Sequence, residues 1–106
     1  MTGVPELLIL KLLIGRDMYG YEIAREIESA NGEGLSISEA ILYPTLHSLE
    51  KRGCLKAKRK TVNGRTRVYY SATKSGRARL NTMMTEWQRI TSIVSAMLGR
   101  RADASI

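Results

Sequence analysis

The chain has a single cysteine, Cys54, and a single histidine, His47. One thiol excludes an internal disulfide framework and fits a reducing cytoplasm. One thiol and one imidazole cannot hold a zinc ion between them, so no metal centre and no cofactor is expected. No nucleophile stands with a base beside it, and the scattered acids form no acid–base pair, which argues against an enzyme. Long apolar runs are also missing. The longest, Leu7 to Leu10, is interrupted by Lys11 and falls far short of the roughly 18 residues that a membrane span needs. No charged start precedes an apolar stretch and a cleavage site, so no signal peptide is expected.

The most telling absence is of one sign of charge. Between Lys51 and Arg79 there are eleven Lys and Arg and no Asp or Glu. The net charge of +7 is accordingly lopsided: residues 1–50 carry three basic and eight acidic side chains, residues 51–106 fourteen basic and two acidic. Such a sided field steers a polyanion, with nucleic acid the leading partner and an anionic membrane second.

At the centre of the basic segment lies Lys58-Arg59-Lys60-Thr61-Val62-Asn63-Gly64-Arg65-Thr66-Arg67-Val68-Tyr69-Tyr70. Asn-Gly is a strong hairpin signal because both turn residues must accept positive φ. Strands over about 55–62 and 65–71 follow, forming a cationic ribbon suited to a duplex with one negative charge per roughly 1.7 Å. The plainer reading is a solvated edge strand, although such edges normally mix both signs.

Upstream, Pro5 suits a first helical turn. Leu7, Leu10 and Ile14, widened by Leu8, Leu12 and Leu13, predict a helix over about 4–15 that is buried on more than one side. A second helix over about 20–30 turns Ile23, Ala24 and Ile27 inward and stops at Asn31-Gly32, with a loop over 32–35. The third runs from near Ser38 to about Arg52. Ser36 with Glu39 fits a capping box and Ser38 is itself a good N-cap, and both readings stand. Leu42, Leu46 and Leu49 share its inner face, while Ala40, Pro44, His47 and Lys51 lie opposite with Tyr43 on the flank. Pro44 should loosen the early turns, and Gly53 ends the helix. Thr73 then caps a fourth helix over about 74–98, in which Met83, Trp87, Ile90, Val94 and Met97 form a heptad seam. Gly99 is expected to end it, leaving residues 100–106 as a disordered tail.

Three helices, a hairpin and a long helix make a mainly α chain with a small β-hairpin (α+β). The order is that of a winged helix-turn-helix over 1–72 and a C-terminal dimerisation helix over 73–99. The third helix would enter the major groove and the hairpin would be the wing.

The motifs are more specific than the architecture. Leu7-Leu8-Ile9-Leu10-Lys11-Leu12-Leu13 leads to Tyr19-Gly20-Tyr21-Glu22-Ile23; Leu42-Tyr43-Pro44-Thr45-Leu46-His47-Ser48-Leu49-Glu50-Lys51 follows, then Gly64-Arg65-Thr66-Arg67-Val68-Tyr69-Tyr70 and Thr73-Lys74-Ser75-Gly76. In this order they resemble the PadR family of bacterial transcriptional regulators, from about Glu6 to Leu98, with the short single C-terminal helix of its smaller subgroup. The resemblance implies a homodimeric, cytoplasmic repressor of palindromic operators, nucleoid-associated when bound. It also implies release by a small hydrophobic or aromatic inducer. In the multidrug-binding branch a Trp of the C-terminal helix lines a pore at the dimer interface, and Trp87 falls at the matching place. Many members have Ser-Pro-Gly-Thr before the Leu-Tyr, where this chain has Ser38-Glu39-Ala40-Ile41, so a Thr hydroxyl contact to DNA is missing.

The candidate DNA-binding residues are therefore Ser38, Tyr43, Pro44, His47 and Lys51 on the third helix. On the wing they are Lys58, Lys60, Asn63, Gly64, Arg65 and Arg67. The wing cations would meet phosphates, with one Arg in the minor groove. Arg59 is assigned to the other strand face and left out. For Tyr43, donation to a phosphate stands against packing between helix and wing; for His47, base reading stands against a plain surface position. The candidate dimer and ligand interface is Leu80, Met83, Met84, Trp87, Ile90, Val94 and Met97. There, simple packing stands against ligand binding by adaptable thioethers and an indole face. Two other classes remain open: a winged-helix protein-interaction module, and a non-specific DNA-coating protein. Salt dependence separates the first of these from a DNA binder, and preference for a palindrome separates the second.

Overall fold

The computed structural model describes residues 3–30 and 36–105. Its elements run α1 (Val4–Gly15), β1 (Met18–Tyr19), α2 (Gly20–Ala30), α3 (Glu39–Lys51), β2 (Leu55–Val62), β3 (Arg65–Ala72) and α4 (Lys74–Ser105). The expected stop at Asn31-Gly32 and the loop over 32–35 lie outside the described residues. The four helices and the hairpin fall where the spacing of apolar residues and turn signals places them.

The core is built by one stripe from each element. Ile9, Leu10 and Leu13 of α1, Ile23 and Ile27 of α2, and Leu42, Leu46 and Leu49 of α3 close around Met18, Leu55, Tyr70 and Leu80. Among the described residues no charged side chain is buried and no buried side-chain polar atom lacks a partner. At the surface the α1, α3 and α4 helices are tied by one carboxylate. Glu6 Oε1 lies 3.0 Å from Arg79 Nε and 3.2 Å from Arg52 NH2, and this pairing holds the Arg79 guanidinium above its ordinary pKa.

The sheet has three strands, in the order β1-β3-β2, and not the two of the hairpin alone. Met18 pairs with Tyr70 and Tyr19 with Tyr69, antiparallel. Two residues are too few to carry a period, so β1 leaves no sequence signal of its own.

Local chemistry explains the junctions. Asn63 (φ 53°) and Gly64 (φ 76°) both take the left-handed region that their hairpin turn requires. Gly53 (φ 78°) ends α3 in a Schellman motif. Its N–H donates to the Glu50 carbonyl at 2.9 Å, and the Cys54 N–H reaches back to that of Leu49 at 2.8 Å. Ser38, and not Ser36, is the N-cap of α3, in extended backbone, although its hydroxyl makes no capping bond. Pro44 sits within α3 without ending it. The bond it cannot make would go to the carbonyl of Ala40, an exposed residue that water can reach.

Thr73 joins α3 to α4. Its hydroxyl oxygen accepts the Gly76 N–H at 3.0 Å and donates to the Gly53 carbonyl, while its own N–H donates to the Cys54 carbonyl at 3.1 Å. The helix start is pressed so closely on the hairpin entry that a Cβ on Gly76 would overlap the Cys54 carbonyl oxygen. Thr73-Lys74-Ser75-Gly76 thus serves a close backbone approach.

Beyond this anchor α4 runs on through Gly99 to Ser105, which corrects the expected stop at Gly99 and tail from residue 100. A terminating glycine adopts positive φ, and Gly99 does not. Inside a helix a glycine costs only about 1 kcal/mol relative to alanine, and no proline follows it.

Candidate nucleic-acid interface

Leu42, Leu46 and Leu49 fasten α3 to the core and so fix which side it turns outward. Tyr43, Pro44, His47 and Lys51 are exposed, as is Ser38 at the helix start. Thr45 is half-buried, and its hydroxyl donates to the Ile41 carbonyl at 2.7 Å. Tyr43 is packed as well as presented. A Cβ on Gly20 would lie 2.6 Å from its hydroxyl, so the bare backbone at the start of α2 makes room for the ring. Tyr19, Gly20, Tyr43, His47, Arg67 and Val68 surround a groove of about 370 Å³ between α3 and the wing, with Tyr70 beneath. Burial, with the nearby Glu50 and Tyr43, pushes the Tyr70 phenol above its ordinary pKa.

The wing divides its charges between two faces. Directly opposed residues of an antiparallel pair share a face, and successive residues alternate. Leu55↔Ala72, Ala57↔Tyr70, Arg59↔Val68 and Thr61↔Thr66 make one face; Lys56↔Ser71, Lys58↔Tyr69, Lys60↔Arg67 and Val62↔Arg65 make the other. Leu55 and Tyr70 are core residues, so the first set faces the helices and the second faces away.

Lys58, Lys60, Arg65 and Arg67 thus share one face, as anticipated, and two of them are already engaged there. Lys60 Nζ lies 3.5 Å from Asp17 Oδ2 and 5.0 Å from the Tyr69 ring centre. The Arg67 guanidinium lies 4.3 Å from the Tyr19 ring centre. Tyr19 stacks with Tyr21 at 6.4 Å and meets Tyr69 edge-on at 5.4 Å, giving a ladder of rings beneath the cations. Both partners of the Lys60–Asp17 pair are more than a third exposed, so water screens it and a phosphate can displace it. The ladder escaped sequence reasoning because β1, which carries Tyr19 to Tyr69, had not been foreseen. Asn63 and Gly64 occupy the exposed tip.

The candidate seam on α4 splits in two. Leu80 and Met83, 2% and 7% exposed, belong to the protomer's own core, and Met84 packs against it. Leu80 is sealed in this way and is not open to a partner, which corrects its place in the seam. From Trp87 onward the stripe is bare: Trp87, Ile90, Val94 and Met97 are exposed, Met97 by 63%, and Ile93 and Leu98 widen the strip. Ile93, three residues after Ile90, was the signal the heptad count passed over. Where the stripe leaves the core, Val4, Leu7, Arg79, Met83, Glu86 and Trp87 are among the walls of a cleft of about 340 Å³.

A family profile described as the transcriptional regulator PadR-like family matches residues 9–82. The chain belongs to the PadR family. PadR-family proteins are DNA-binding transcriptional regulators, not a class of enzymes. The chain is 35% identical over 99 residues to an uncharacterized protein of Lysinibacillus sphaericus, a match covering 92% of this chain and 91% of that one. It is 38% identical over 72 residues to a transcriptional regulator of Mycobacterium tuberculosis, covering 68% of this chain and 64% of the other. Among solved structures, a transcriptional regulator from Clostridium thermocellum superposes with a TM-score of 0.81 at 32% identity, over 89% of this chain and 91% of that one. A PadR family transcription regulator from Clostridium difficile superposes with 0.78 at 28% identity, over 91% and 99%. The winged helix with a C-terminal helix is thus a PadR fold. Among the described residues no helix is long and apolar enough to cross a membrane.

Proposed function

We propose that this PadR-family regulator is a homodimeric repressor of a palindromic operator, released by a small hydrophobic aromatic ligand at the α4 interface. The observation that carries the reading is the bare strip of Trp87, Ile90, Ile93, Val94, Met97 and Leu98. A monomer rarely leaves so continuous an apolar surface in water, and a second copy of the same helix covers it symmetrically. Two wings and two α3 helices then address half-sites about one helical turn apart.

In this reading the outward side of α3, from Ser38 through Tyr43, Pro44 and His47, reads the major groove, and Lys51 at its far end meets backbone only. The wing cations Lys58, Lys60, Arg65 and Arg67, with the amides of Asn63 and Gly64, meet phosphates. The cleft beside Trp87 supports the ligand reading, because it joins an indole face and a thioether to the polar ends of Arg79 and Glu86. A ligand seated there changes DNA affinity only by binding one spacing of the two subunits better than the other.

The test is selection of duplexes from a random pool by the purified protein near physiological salt, with sedimentation of the free protein alongside. The expected result is a dimer and an enriched two-fold motif. Binding without enrichment would support a DNA-coating role, and a salt-insensitive protein that selects nothing would support an interaction module.

A further inference from the structure

The first turn of α1 stands between two openings. Gly3, Val4 and Leu7 wall the cleft beside Trp87, whose polar end is Arg79 and Glu86. Pro5 and Glu6 wall a groove of about 240 Å³ on α3, against Pro44, Thr45, Ser48 and Arg52. One carboxylate oxygen spans the two. Glu6 Oε1 accepts the Arg79 Nε–H at 3.0 Å and lies 3.2 Å from Arg52 NH2. Arg79 belongs to the cleft, and Arg52 is the C-cap of the recognition helix.

Arg52 is fixed to α3 as well as to Glu6. Its Nε–H donates to the Ser48 carbonyl at 3.4 Å and its backbone N–H to the same carbonyl at 3.0 Å. The last turn of α3 is thereby held to α4 through two guanidiniums and the oxygen between them. On this side the groove separates α1 from α3, so the ion pair and not apolar packing makes the link. Pro44, in the groove wall, has no N–H to give the Ala40 carbonyl, so α3 lacks an internal bond one turn before Ser48. The Glu6 side chain is 14% exposed against 40% for that of Arg79, so water poorly replaces a guanidinium that leaves it.

From this shared oxygen we infer that Glu6 is a positioning residue for α3 and the route by which the α4 cleft acts on DNA reading. Arg79 anchors Glu6 on α4, and Glu6 anchors the end of α3 that carries His47 and Lys51. A ligand acceptor in the cleft competes with Glu6 for the Arg79 fork. Once Arg79 turns to the ligand, Glu6 keeps Arg52 alone, and the end of α3 is no longer tied to α4. The ligand drives this change only by binding the released arrangement better. The link rests on the ligand-released repressor proposed above, and adds to it how one subunit's cleft reaches its own recognition helix.

The experiment uses the full chain, the operator it selects and an unrelated duplex of the same length. Dissociation constants on both are measured for the parent, Glu6→Gln, Arg79→Gln and the double variant. The ratio of the two constants cancels the change in charge, which acts on both duplexes alike. Each single variant is expected to lower the operator preference by about threefold per subunit, or about tenfold for two half-sites, within the usual range of a coupling between sites. The double variant should lose no more than either single one, because all three break the same link. Coupling is reciprocal. Operator binding should therefore change the acrylamide quenching of Trp87, the chain's one tryptophan, in the parent and not in Glu6→Gln. An unchanged ratio in either single variant, additive losses in the double variant, or a quenching response that persists in Glu6→Gln overturns the inference and leaves the DNA-reading function in place. A parent whose Trp87 ignores the operator does the same. A parent that selects no duplex at all defeats the function itself, and the inference with it.

Discussion

Gly76→Ala sets two physical rules against each other with opposite signs. Gly76 lies in the first turn of α4, where helix propensity alone favours alanine by up to about 1 kcal/mol. Packing says the reverse. The new Cβ would overlap the Cys54 carbonyl oxygen and lie 3.1 Å from the carbonyl carbon. Restoring ordinary contact moves the helix start by about 1 Å or more. That movement strains the Thr73 N–H bond to the same carbonyl and the hydroxyl bond to Gly53, the two links between α4 and the end of α3. Overpacking of this kind costs about 1–3 kcal/mol, and a weakened N-cap adds about 1 kcal/mol. Set against the propensity gain, the net loss is about 1–3 kcal/mol, or about 5–20 °C in Tm for a domain of this size. Gly99→Ala is the matched control. Nothing stands within 4 Å of its Cβ and its φ is not left-handed, so it is expected to gain about 1 kcal/mol. Urea unfolding followed by far-UV circular dichroism reads both, at several protein concentrations because self-association would shift the apparent stability. If Gly76→Ala gains stability as Gly99→Ala does, the close approach of α4 to Cys54 is not what holds this junction.

Two further expectations concern charge. Glu6→Gln takes the shared carboxylate from Arg52 and Arg79. Because both arginines are well exposed the expected loss is only about 1 kcal/mol, read by urea unfolding; high salt should shrink the difference from the parent, and a difference that salt leaves unchanged would point to packing. Tyr70 has a folded pKa raised, chiefly by burial, above the ordinary phenol value of about 10. The native state therefore keeps this proton after the unfolded chain has lost it. The contribution is fully present below pH about 10 and is lost as pH rises through the folded pKa. Tyr70→Phe should flatten that alkaline fall in the urea midpoint, and a parallel fall in both proteins would remove Tyr70 as its source.

What could be read along the chain was what neighbours decide. The Asn63-Gly64 turn, the Gly53 stop and the Thr73 cap each depend on a few adjacent residues, and each stands where expected. The leucine stripe of α3 needed only its own spacing. Where the outcome is governed by partners far away in sequence, the reading stopped. The Glu6–Arg79 bond joins residues 73 positions apart, and no local pattern announces it. The β1 strand exists only because Met18 and Tyr19 meet Tyr70 and Tyr69.

The α4 stripe shows the same boundary within one helix. Helical spacing groups Leu80, Met83, Trp87, Ile90, Val94 and Met97 alike, yet the first two are core and the rest are bare. Spacing says which side of a helix is apolar, and the extent of the domain body says where that side stops being covered. The wing repeats the point. Alternation divides its residues into two sets from sequence alone, because the strand period is two. Which set packs on the helices was decided by the burial of Leu55 and Tyr70. The four helices, the hairpin turn, the charge of the wing and the family motifs are properties of short stretches, and so they were legible along the chain. Which faces meet was not, because that choice comes from burying apolar surface contributed by every element at once.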